Sequence, residues 1–574
     1  MNVQGAEPLD GSPYDFIVVG AGSAGSAVAA RLSESGRNRV LLIEAGPTDW
    51  NPWIHLPMGY SKLFNDPRVN WMYESEPEPG MNDRVLYQPR GKVLGGSSSI
   101  NGMMYVRGHP KDFDGWAAAG CPGWGYDDVL PFFKKSEDQS RGADRFHGVG
   151  GPLKVSDQSF DRELPNALCA AAYQAGLTEN LDFNSDTQDG FGYYQMNIHK
   201  GRRWSAAKGY LKPARSRANL RILTEAITER VIVRNSVAEG VLFRHGGRLR
   251  SAEARETIVC AGAIASPQLL MLSGVGPASH LREIGVEVIA DRPSVGQNLQ
   301  DHTNIQLMFR CTRPITVNDI ANSWLRTLGV GLQYLLTGKG YFSETGIYVG
   351  GYARSDASMD RPDVQMAMAA WSVGARTARG AKPHPFSGFS FSPEHVCPDA
   401  RGAIALRSPD ATKPPSIRFN FFQTDYDLKA MMFGIRLIRR IVDQPAMKPY
   451  VSVELQPGPS VQSDEELIAF IRDKAGSDIH AAGSCRMGGD ADSVVDPNLK
   501  VRGIAGLRVA DASIMPRVVR ANTHAATVMI GEKAAHMILS DLQDPPRCTA
   551  SGEVHSVSSP PTQFAHPVSS QIQI

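Results

Sequence analysis

Two histidines near the C-terminus stand among small residues that leave room for a substrate. His480 lies in HAAGSCRMG and His524 in ANTHAATVMIG. A neutral imidazole can accept a proton at neutral pH, and an alcohol gives up hydride readily once its hydroxyl proton is leaving. A lone histidine is also a common packing residue. His480 and Cys485 could instead ligate a metal, but no second ligand pair follows at a recognisable spacing. The two histidines are candidate catalytic residues, and no metal is predicted.

The segment GAGSAG, from Gly20 to Gly25, has the spacing of a dinucleotide-binding turn. Phe16 to Val19 predicts a buried strand before it, an alanine-rich helix follows to about Ser35, and a strand from Val40 to Ile43 leads to Glu44. Such glycines let backbone approach a pyrophosphate at a helix N-terminus, and the acid accepts hydrogen bonds from ribose hydroxyls. The turn does not decide between NAD and FAD. The predicted contacts are Gly20, Gly22, Ser23, Ala24, Gly25, Glu44 and Ala45.

Two further segments are rich in glycine, 90–108 (RGKVLGGSSSINGMMYVRG) and 262–276 (GAIASPQLLMLSGVG), and the first of them has no use in a plain nicotinamide dehydrogenase. Small residues in the first would let a flat ring or a diphosphate lie against bare backbone. The second follows a predicted strand at Thr257–Cys260, and Ser266-Pro267 indicates a helix start. A third buried strand is predicted at Leu507–Ala510, directly before Asp511. Each segment alone could be a structural loop.

Together these segments resemble a known family. GKVLGGSSSIN and GAIASPQLLMLSGVG closely resemble the two signature patterns of the glucose-methanol-choline (GMC) oxidoreductases, FAD enzymes that act on alcohols, and the two histidine segments resemble that family's active-site stretches. The resemblance runs from about Tyr14 to Leu542. It implies an α/β fold in which a Rossmann-like FAD-binding domain (13–155, 211–310 and 476–542) is interwoven with a substrate-binding α+β cap domain (156–210 and 311–475), an antiparallel sheet flanked by helices. Composition predicts a disordered tail at 543–574.

The resemblance also implies roles for single residues. His480 would be the general base, with hydride passing to flavin N5, and His524 would hydrogen-bond the substrate oxygen or share the base function. Some members bind FAD covalently through a histidine, and the equivalent position here is Ile100, so FAD is expected to be non-covalent. His302 is expected to be structural. The further expected FAD contacts are Trp71, Val93, Gly96, Ser97, Asn101, Gly102, Met103, Met104, Val231, Ala261, Asp511, Ala512, Thr523 and Ala525.

The substrate is expected to be a small alcohol oxidised to an aldehyde or ketone. Tyr348, Gln365 and Trp371 are the predicted pocket residues and favour an uncharged primary alcohol, aromatic or of medium chain length. Choline would favour a carboxylate and an aromatic cage; Tyr348 stands where choline-oxidising relatives carry Glu, although Glu344 is four residues away, which makes choline an alternative. A non-redox hydroxynitrile-lyase-like enzyme on the same fold is another. The electron acceptor, O2 or a quinone-like carrier, stays open.

Composition limits the possible partners. The 574 residues carry 60 Lys+Arg and 59 Asp+Glu, a formal net charge of +1, which argues against nucleic acid. The seven cysteines form no C-x-x-C and predict no disulfide framework. Without a signal-peptide pattern or a run of 18 apolar residues, the sequence predicts a cytoplasmic protein with no integral membrane segment. Loose membrane association and a homodimer stay open. One apolar helical stripe is expected to pack in the core, with a membrane or partner role as the alternative: Trp324, Leu325, Leu328, Leu332, Leu335 and Leu336.

Overall fold

The structure is a computed structural model that describes residues 6–9, 13–158, 162–377 and 380–543. The tail predicted at 543–574 lies outside the described residues, except for Gln543 at the end of a helix. Two large sheets, here called the mixed sheet and the antiparallel sheet, organise the chain. Both draw strands from stretches that are far apart in the sequence. The predicted α/β fold is confirmed.

The mixed sheet places three of the sequence-predicted segments at one edge. The strands 40–43, 14–19 and the second half of 248–259 run parallel, and 507–509 pairs in parallel with that same half. Their carboxyl ends therefore meet at one edge, where ligands bind in open α/β sheets. The strands of this sheet are Glu7–Pro8, Tyr14–Val19, Val40–Ile43, Leu220–Leu223, Ala226–Arg234, Val237–His245, Arg248–Val259 and Leu507–Val509.

The antiparallel sheet forms the opposite wall of the molecule's main cavity. Its central strand, Gly388–His395, pairs on one side with Val364–Ala369 and on the other with Leu307–Cys311. Thr303–Asn304 pairs with the end of the central strand, so that Asn304 lies opposite Glu394. The remaining strands are Gly190–Tyr193, Ile347–Ala353, Val451–Gln456 and Gly476–Ser477.

Helices cover both sheets and connect their strands. The helix after the turn at Gly20 is Ser23–Leu32, and the last helix, here the C-terminal helix, is Thr523–Gln543. The others are Pro52–His55, Tyr60–Leu63, Pro110–Ala118, Tyr126–Ser136, Glu163–Gln174, Lys212–Ala214, Gly262–Leu272, Ala278–Ile284, Val317–Ala321, Trp324–Thr337, Asp425–Val442 and Asp464–Lys474.

The helix predicted to start at Ser266-Pro267 begins four residues earlier, at Gly262. Pro267 lies inside it and has no N–H to donate to the carbonyl of Ala263, four residues back. The hydroxyl of Ser484 donates to that carbonyl instead. The proline is tolerated because a distant side chain supplies the missing donor.

Short strand pairs complete the fold: Tyr73–Glu74 with Tyr87–Gln88, Glu137–Gln139 with Leu153–Val155, Ile198–His199 with Arg202–Arg203, Val275–Gly276 with Ala290–Asp291, Val373–Thr377 with Gly380–Pro383, and a sheet of Gln297–Leu299, Gly402–Ala405 and Ser416–Arg418. Over the described ranges, the structure has no helix that is long and apolar enough to cross a membrane.

The apolar stripe predicted to pack in the core does not do so. It lies on Trp324–Thr337, here called the surface helix, which contains no buried residue. Trp324 is 74% exposed and Leu335 is 81% exposed. Periodicity correctly identified which residues share a face, but it does not say whether that face points inward.

Candidate active site

A cavity of about 1570 Å³ lies between the carboxyl edge of the mixed sheet and the antiparallel sheet. A pocket for one drug-sized ligand measures about 300–1,000 Å³, so this cavity can hold a dinucleotide together with a substrate. Most of the sequence-predicted site residues line it: Gly20, Gly22, Ser23, Ala24, Glu44, Ala45, Trp71, Gly96, Ser97, Asn101, Gly102, Met103, Met104, Trp371, Ala261, His480, Asp511, Ala512, Thr523 and His524.

The three glycines of the first turn serve different purposes. A Cβ at Gly25 would lie 1.8 Å from the carbonyl oxygen of Gly20, and a Cβ at Gly20 would lie 2.5 Å from that of Cys260. These two glycines let backbone pack on backbone. A Cβ at Gly22 would meet nothing within 4 Å, because this residue faces the cavity. Gly22 therefore leaves room for a ligand and is not needed for the packing of the fold.

Glu44 holds the turn from the end of the neighbouring strand. One carboxylate oxygen accepts the N–H of Ala21 and the other accepts that of Gly46, both at 2.9 Å. Burial raises the pKa of Glu44 to about 7, although these hydrogen bonds lower it. Each oxygen keeps a second lone pair, which a ribose hydroxyl in the cavity could use.

The segments after the other two strands complete this side of the cavity. Asp511 accepts hydrogen bonds from the N–H of Gly262 at 2.8 Å and from the hydroxyl of Ser266 at 2.5 Å. A Cβ at Gly96 would lie 2.7 Å from the Cα of Gly22, so the second glycine-rich segment lies directly against the first turn. Bare backbone from two loops thus lines the same part of the cavity.

Four residues predicted to touch the cofactor lie behind the cavity wall. Gly25 and Ala525 are buried in helices, and Val93 packs in a separate apolar cluster with Ile54 and Leu63. Val231 is buried, and its N–H donates to the hydroxyl of Ser273 in the core.

Thr228, three residues earlier in the same strand as Val231, lines the cavity instead. Its hydroxyl is buried and has no hydrogen-bond partner. A register shift follows Thr228 in this strand, and such a shift changes which side chains face inward. An unpaired buried hydroxyl beside open glycine backbone fits a polar nucleotide, so the residues present fit FAD.

His480 is oriented by polar groups on both ring nitrogens. Its Nδ1 lies 2.9 Å from the carboxylate of Asp478 and 3.1 Å from Nδ1 of His302, and its Nε2 lies 3.1 Å from the amide nitrogen of Asn522. An amide nitrogen only donates, so Asn522 identifies Nε2 as an acceptor and places the ring proton on Nδ1, beside the Asp478 carboxylate. Nε2 is then the basic nitrogen. The backbone N–H of His480 also donates to Asp301.

The residues behind His480 are buried. His302 was expected to be structural, and it contacts His480 directly; burial keeps its pKa well below the ordinary value, so its ring is neutral. Burial raises the pKa of Asp301 to about 6, although Arg90 nearby lowers it. Within the described part of the chain, ligating atoms of His302, Asp478 and His480 lie within 4.8 Å of one another. A metal would accept that spacing, and the hydrogen bond between His302 and His480 together with the ion-pair contact of His480 with Asp478 also accounts for it.

His524 lies at the start of the C-terminal helix, and its Nδ1 is 2.8 Å from the hydroxyl of Ser23. Burial and, to a smaller extent, the cation of Arg203 lower the pKa of His524 to about 4. His524 is therefore neutral at physiological pH. The helix N-terminus beside it favours negative charge in the cavity.

The substrate side of the cavity differs from the prediction at two of three positions. Trp371 lines the cavity, whereas Tyr348 is buried behind it and donates to Glu344 at 2.5 Å. Glu344 is in turn paired with Arg162, so it is not available to a substrate. Gln365 also lies behind the wall, 3.5 Å from the side chain of Asn522.

Sequence reasoning missed a group of polar residues beside His480. Asn304 lines the cavity and donates to Asp478 at 2.6 Å. Glu394, opposite Asn304 in the sheet, also lines the cavity, and its Oε2 is buried without a partner. Burial, and the nearby charge of Asp478, raise the pKa of Glu394 well above its ordinary value. These residues are adjacent only through strand pairing, so no local pattern indicates them.

Comparison with known proteins identifies the family of this chain. The GMC oxidoreductase family models match residues 14–304 and 398–531, so the chain belongs to the GMC oxidoreductase family. An oxygen-dependent choline dehydrogenase of Rhizobium etli is 44% identical over 531 residues, 92% of this chain and 95% of that protein. One of Brucella suis biovar 1 is 42% identical over the same shares.

Solved structures share the fold of this chain. A pyridoxine 4-oxidase from Mesorbium loti has a TM-score of 0.84 and 31% identity, over 92% of this chain and 99% of that one. A formate oxidase has a TM-score of 0.87 and 28% identity, over 93% and 99%. The protein is an FAD-dependent oxidoreductase that oxidises an alcohol.

The role of Gly22 can be separated from folding. Gly22→Ala should keep the thermal stability of the flavin-free protein but lower the flavin content, since its Cβ meets nothing in the protein and points where a ligand must approach. Flavin would be released by acid and measured by absorbance. Gly115→Ala is the matched control, because its Cβ also meets nothing. Equal flavin content in both variants would contradict this assignment.

The low pKa of His524 predicts a pH effect on stability. A histidine with a pKa of about 4 in the folded chain and about 6.5 in the unfolded chain binds fewer protons when folded, so stability is lost as pH falls from about 6.5 toward 4. His524→Asn removes this loss. The drop in Tm of flavin-free protein between pH 7 and pH 5 should be smaller in the variant. Identical drops would show that His524 is not kept neutral.

Proposed function

We propose that this enzyme oxidises an alcohol that carries a cationic group, with choline as the first candidate. The observation that supports this proposal most strongly is the position of Glu394. Its buried carboxyl group lies on the cavity wall, and Oε2 has no hydrogen-bond partner. An unpaired buried acid is costly when ionised, and a substrate ammonium beside it would offset that cost. The relatives named choline dehydrogenases support choline within this class.

The position of Glu394 relative to His480 supports a substrate that spans both. Glu394 lies opposite Asn304, Asn304 binds Asp478, and Asp478 binds His480. A small amino alcohol could therefore place its hydroxyl at His480 and its cation at Glu394. Trp371 adds an aromatic surface to the same cavity, which suits a quaternary ammonium.

In the proposed reaction His480 removes the hydroxyl proton. Nε2 of His480 is the accepting atom, and the negative charge of Asp478, 2.9 Å from Nδ1, stabilises the imidazolium that forms. Asn522 donates toward Nε2 in the structure, and it would donate to the substrate oxygen when the alcohol is bound. His524, neutral at physiological pH, is the second polar contact for that oxygen. FAD, when bound, supplies the hydride acceptor.

We also propose that FAD is held without a covalent bond. Ile100, at the position where some relatives carry a linking histidine, lines the cavity with an aliphatic side chain that cannot form such a bond. Acid release of flavin, the step that measures its content in the Gly22 variant, tests this directly.

The acceptor of the second half-reaction is proposed to be O2, since the relatives are named oxygen-dependent.

A matched pair of substrates tests the cationic group. Choline and its neutral carbon analogue 3,3-dimethylbutan-1-ol have the same shape and differ in charge. Anaerobic flavin reduction should be about 10- to 100-fold more efficient with choline, a difference of roughly 1.4 to 2.8 kcal/mol. Glu394→Gln should remove most of this preference without lowering the rate with the neutral alcohol.

Trp371→Phe is the control, because it keeps the aromatic wall and should keep the preference for choline. Equal efficiency with both alcohols in the wild type would overturn the cationic substrate class. Reduction by the neutral alcohol alone would then favour the uncharged primary alcohol expected from the sequence. Alcohol-dependent reduction of either kind excludes a non-redox lyase.

A further inference from the structure

The surface helix exposes a continuous apolar face to solvent. Its six large apolar residues are between 55% and 81% exposed, and no residue of the helix is buried. Single exposed apolar side chains are common, but a contiguous patch of them marks an interaction site. The members of this patch, here called the leucine face, are Trp324, Leu325, Leu328, Leu332, Leu335 and Leu336.

The opposite face of the surface helix is the one that contacts the protein. Tyr334 donates to the carbonyl of Gly201 at 3.1 Å, and its ring lies edge-on to that of Phe342. Thr327 donates to the carbonyl of Ile320 at 2.8 Å. The helix therefore turns its half-buried residues, Thr327, Val330, Gly331 and Tyr334, toward the protein and the leucine face outward, unlike an ordinary surface helix.

The charged residues of the surface helix and of the loop that follows it are basic. Between Asp319 and Glu344 the sequence contains only two charged residues, Arg326 and Lys339, and both are exposed. The loop that packs against the end of the helix adds exposed Lys200 and Arg202. The patch is thus apolar with a basic margin, which is the composition of helices that lie in the interface of anionic bilayers.

We propose that the surface helix binds the surface of a phospholipid bilayer that contains anionic headgroups. Its 14 residues rise about 21 Å, less than the roughly 30 Å hydrocarbon core, so the helix lies in the plane of the interface. Leucines enter the acyl boundary, Trp324 lies at the headgroup level, and Arg326 and Lys339 face lipid phosphates.

A second copy of this chain fits the leucine face less well. A two-fold contact would bring the same face of both copies together, and the charged residues of the helix and of the loop after it, Arg326 and Lys339, would repel their copies. An anionic lipid surface complements them instead. The bilayer is therefore the occupant that both the apolar area and the charge favour.

Membrane binding would place the cavity beside the bilayer. The residues that flank the surface helix on both sides, among them Ile320, Ala321, Tyr341 and Phe342, line the cavity, as does Thr327 of the helix itself. An alcohol or an electron acceptor dissolved in the bilayer would reach the site from this side. This inference does not depend on which alcohol is the substrate.

Vesicle flotation of the purified holoenzyme tests the proposal. The enzyme should float with vesicles of phosphatidylcholine and phosphatidylglycerol, and much less with phosphatidylcholine alone. A variant with Leu328→Ser, Leu332→Ser and Leu335→Ser should lose at least about tenfold in binding. Leu181→Ser is the control, since Leu181 is 70% exposed elsewhere. Flavin content and activity on a water-soluble alcohol should be the same in all three proteins.

A second variant tests the charges without touching the leucine face. Arg326→Glu with Lys339→Glu should weaken binding to the anionic vesicles and should have little effect on the weak binding to phosphatidylcholine alone. The proposal is overturned if the wild type does not float, or if the serine variant floats as well as the wild type. It is also overturned if light scattering shows a dimer that the serine variant dissociates while vesicles bind neither protein.

Discussion

Close contact between backbones at three glycines is the constraint on which the site depends. Gly25 packs its helix on the carbonyl of Gly20, Gly96 brings the second loop against Gly22, and Gly531 brings the C-terminal helix against Ala24. A Cβ at Gly531 would lie 2.6 Å from the carbonyl oxygen of Ala24. Two turns earlier on the same helix is His524, which this contact holds beside Ser23. The nucleotide-type turn therefore also positions a candidate catalytic residue.

A buried ion pair also holds the helix after the glycine turn against the C-terminal helix. Arg31, on the helix after the turn, pairs with Glu532 of the C-terminal helix at 2.9 Å, and Tyr210 donates to the same carboxylate at 2.7 Å. Glu532 is fully buried, so removing one partner would leave an uncompensated charge. Residues some 500 positions apart are thereby locked together, and the cavity that they border keeps its shape.

The sequence predicts those parts of the site that are formed by a few consecutive residues. The glycine turn, Glu44 and the strands before Cys260 and Asp511 lie where their spacing indicates, because each depends on a few consecutive residues. Thr228 was missed because a register shift in its strand changes which side chains face the cavity. The surface helix was predicted from its period, but its orientation depends on contacts with Gly201 and Phe342 that no helical pattern contains.

The polar residues near His480 could not be predicted from local sequence either. Asn304, Glu394 and Asp478 are separated by about 90 residues each in the chain and meet only through pairing in the antiparallel sheet. The net charge of +1 gives no sign of the acidic residues that lie in this part of the cavity. Net charge describes the whole surface and says little about one cavity.

The central claim is that Asp478 orients His480 so that Nε2 can remove the alcohol proton. The most direct measurement is the anaerobic rate of flavin reduction at saturating alcohol in the wild type, His480→Ala and Asp478→Asn. His480→Ala should be slower by about 100-fold or more. Asp478→Asn should be slower by at least about tenfold, because the proton on Nδ1 is no longer fixed, while its alcohol Kd changes little. Wild-type rates in both variants, or a loss only in alcohol binding, would contradict the account.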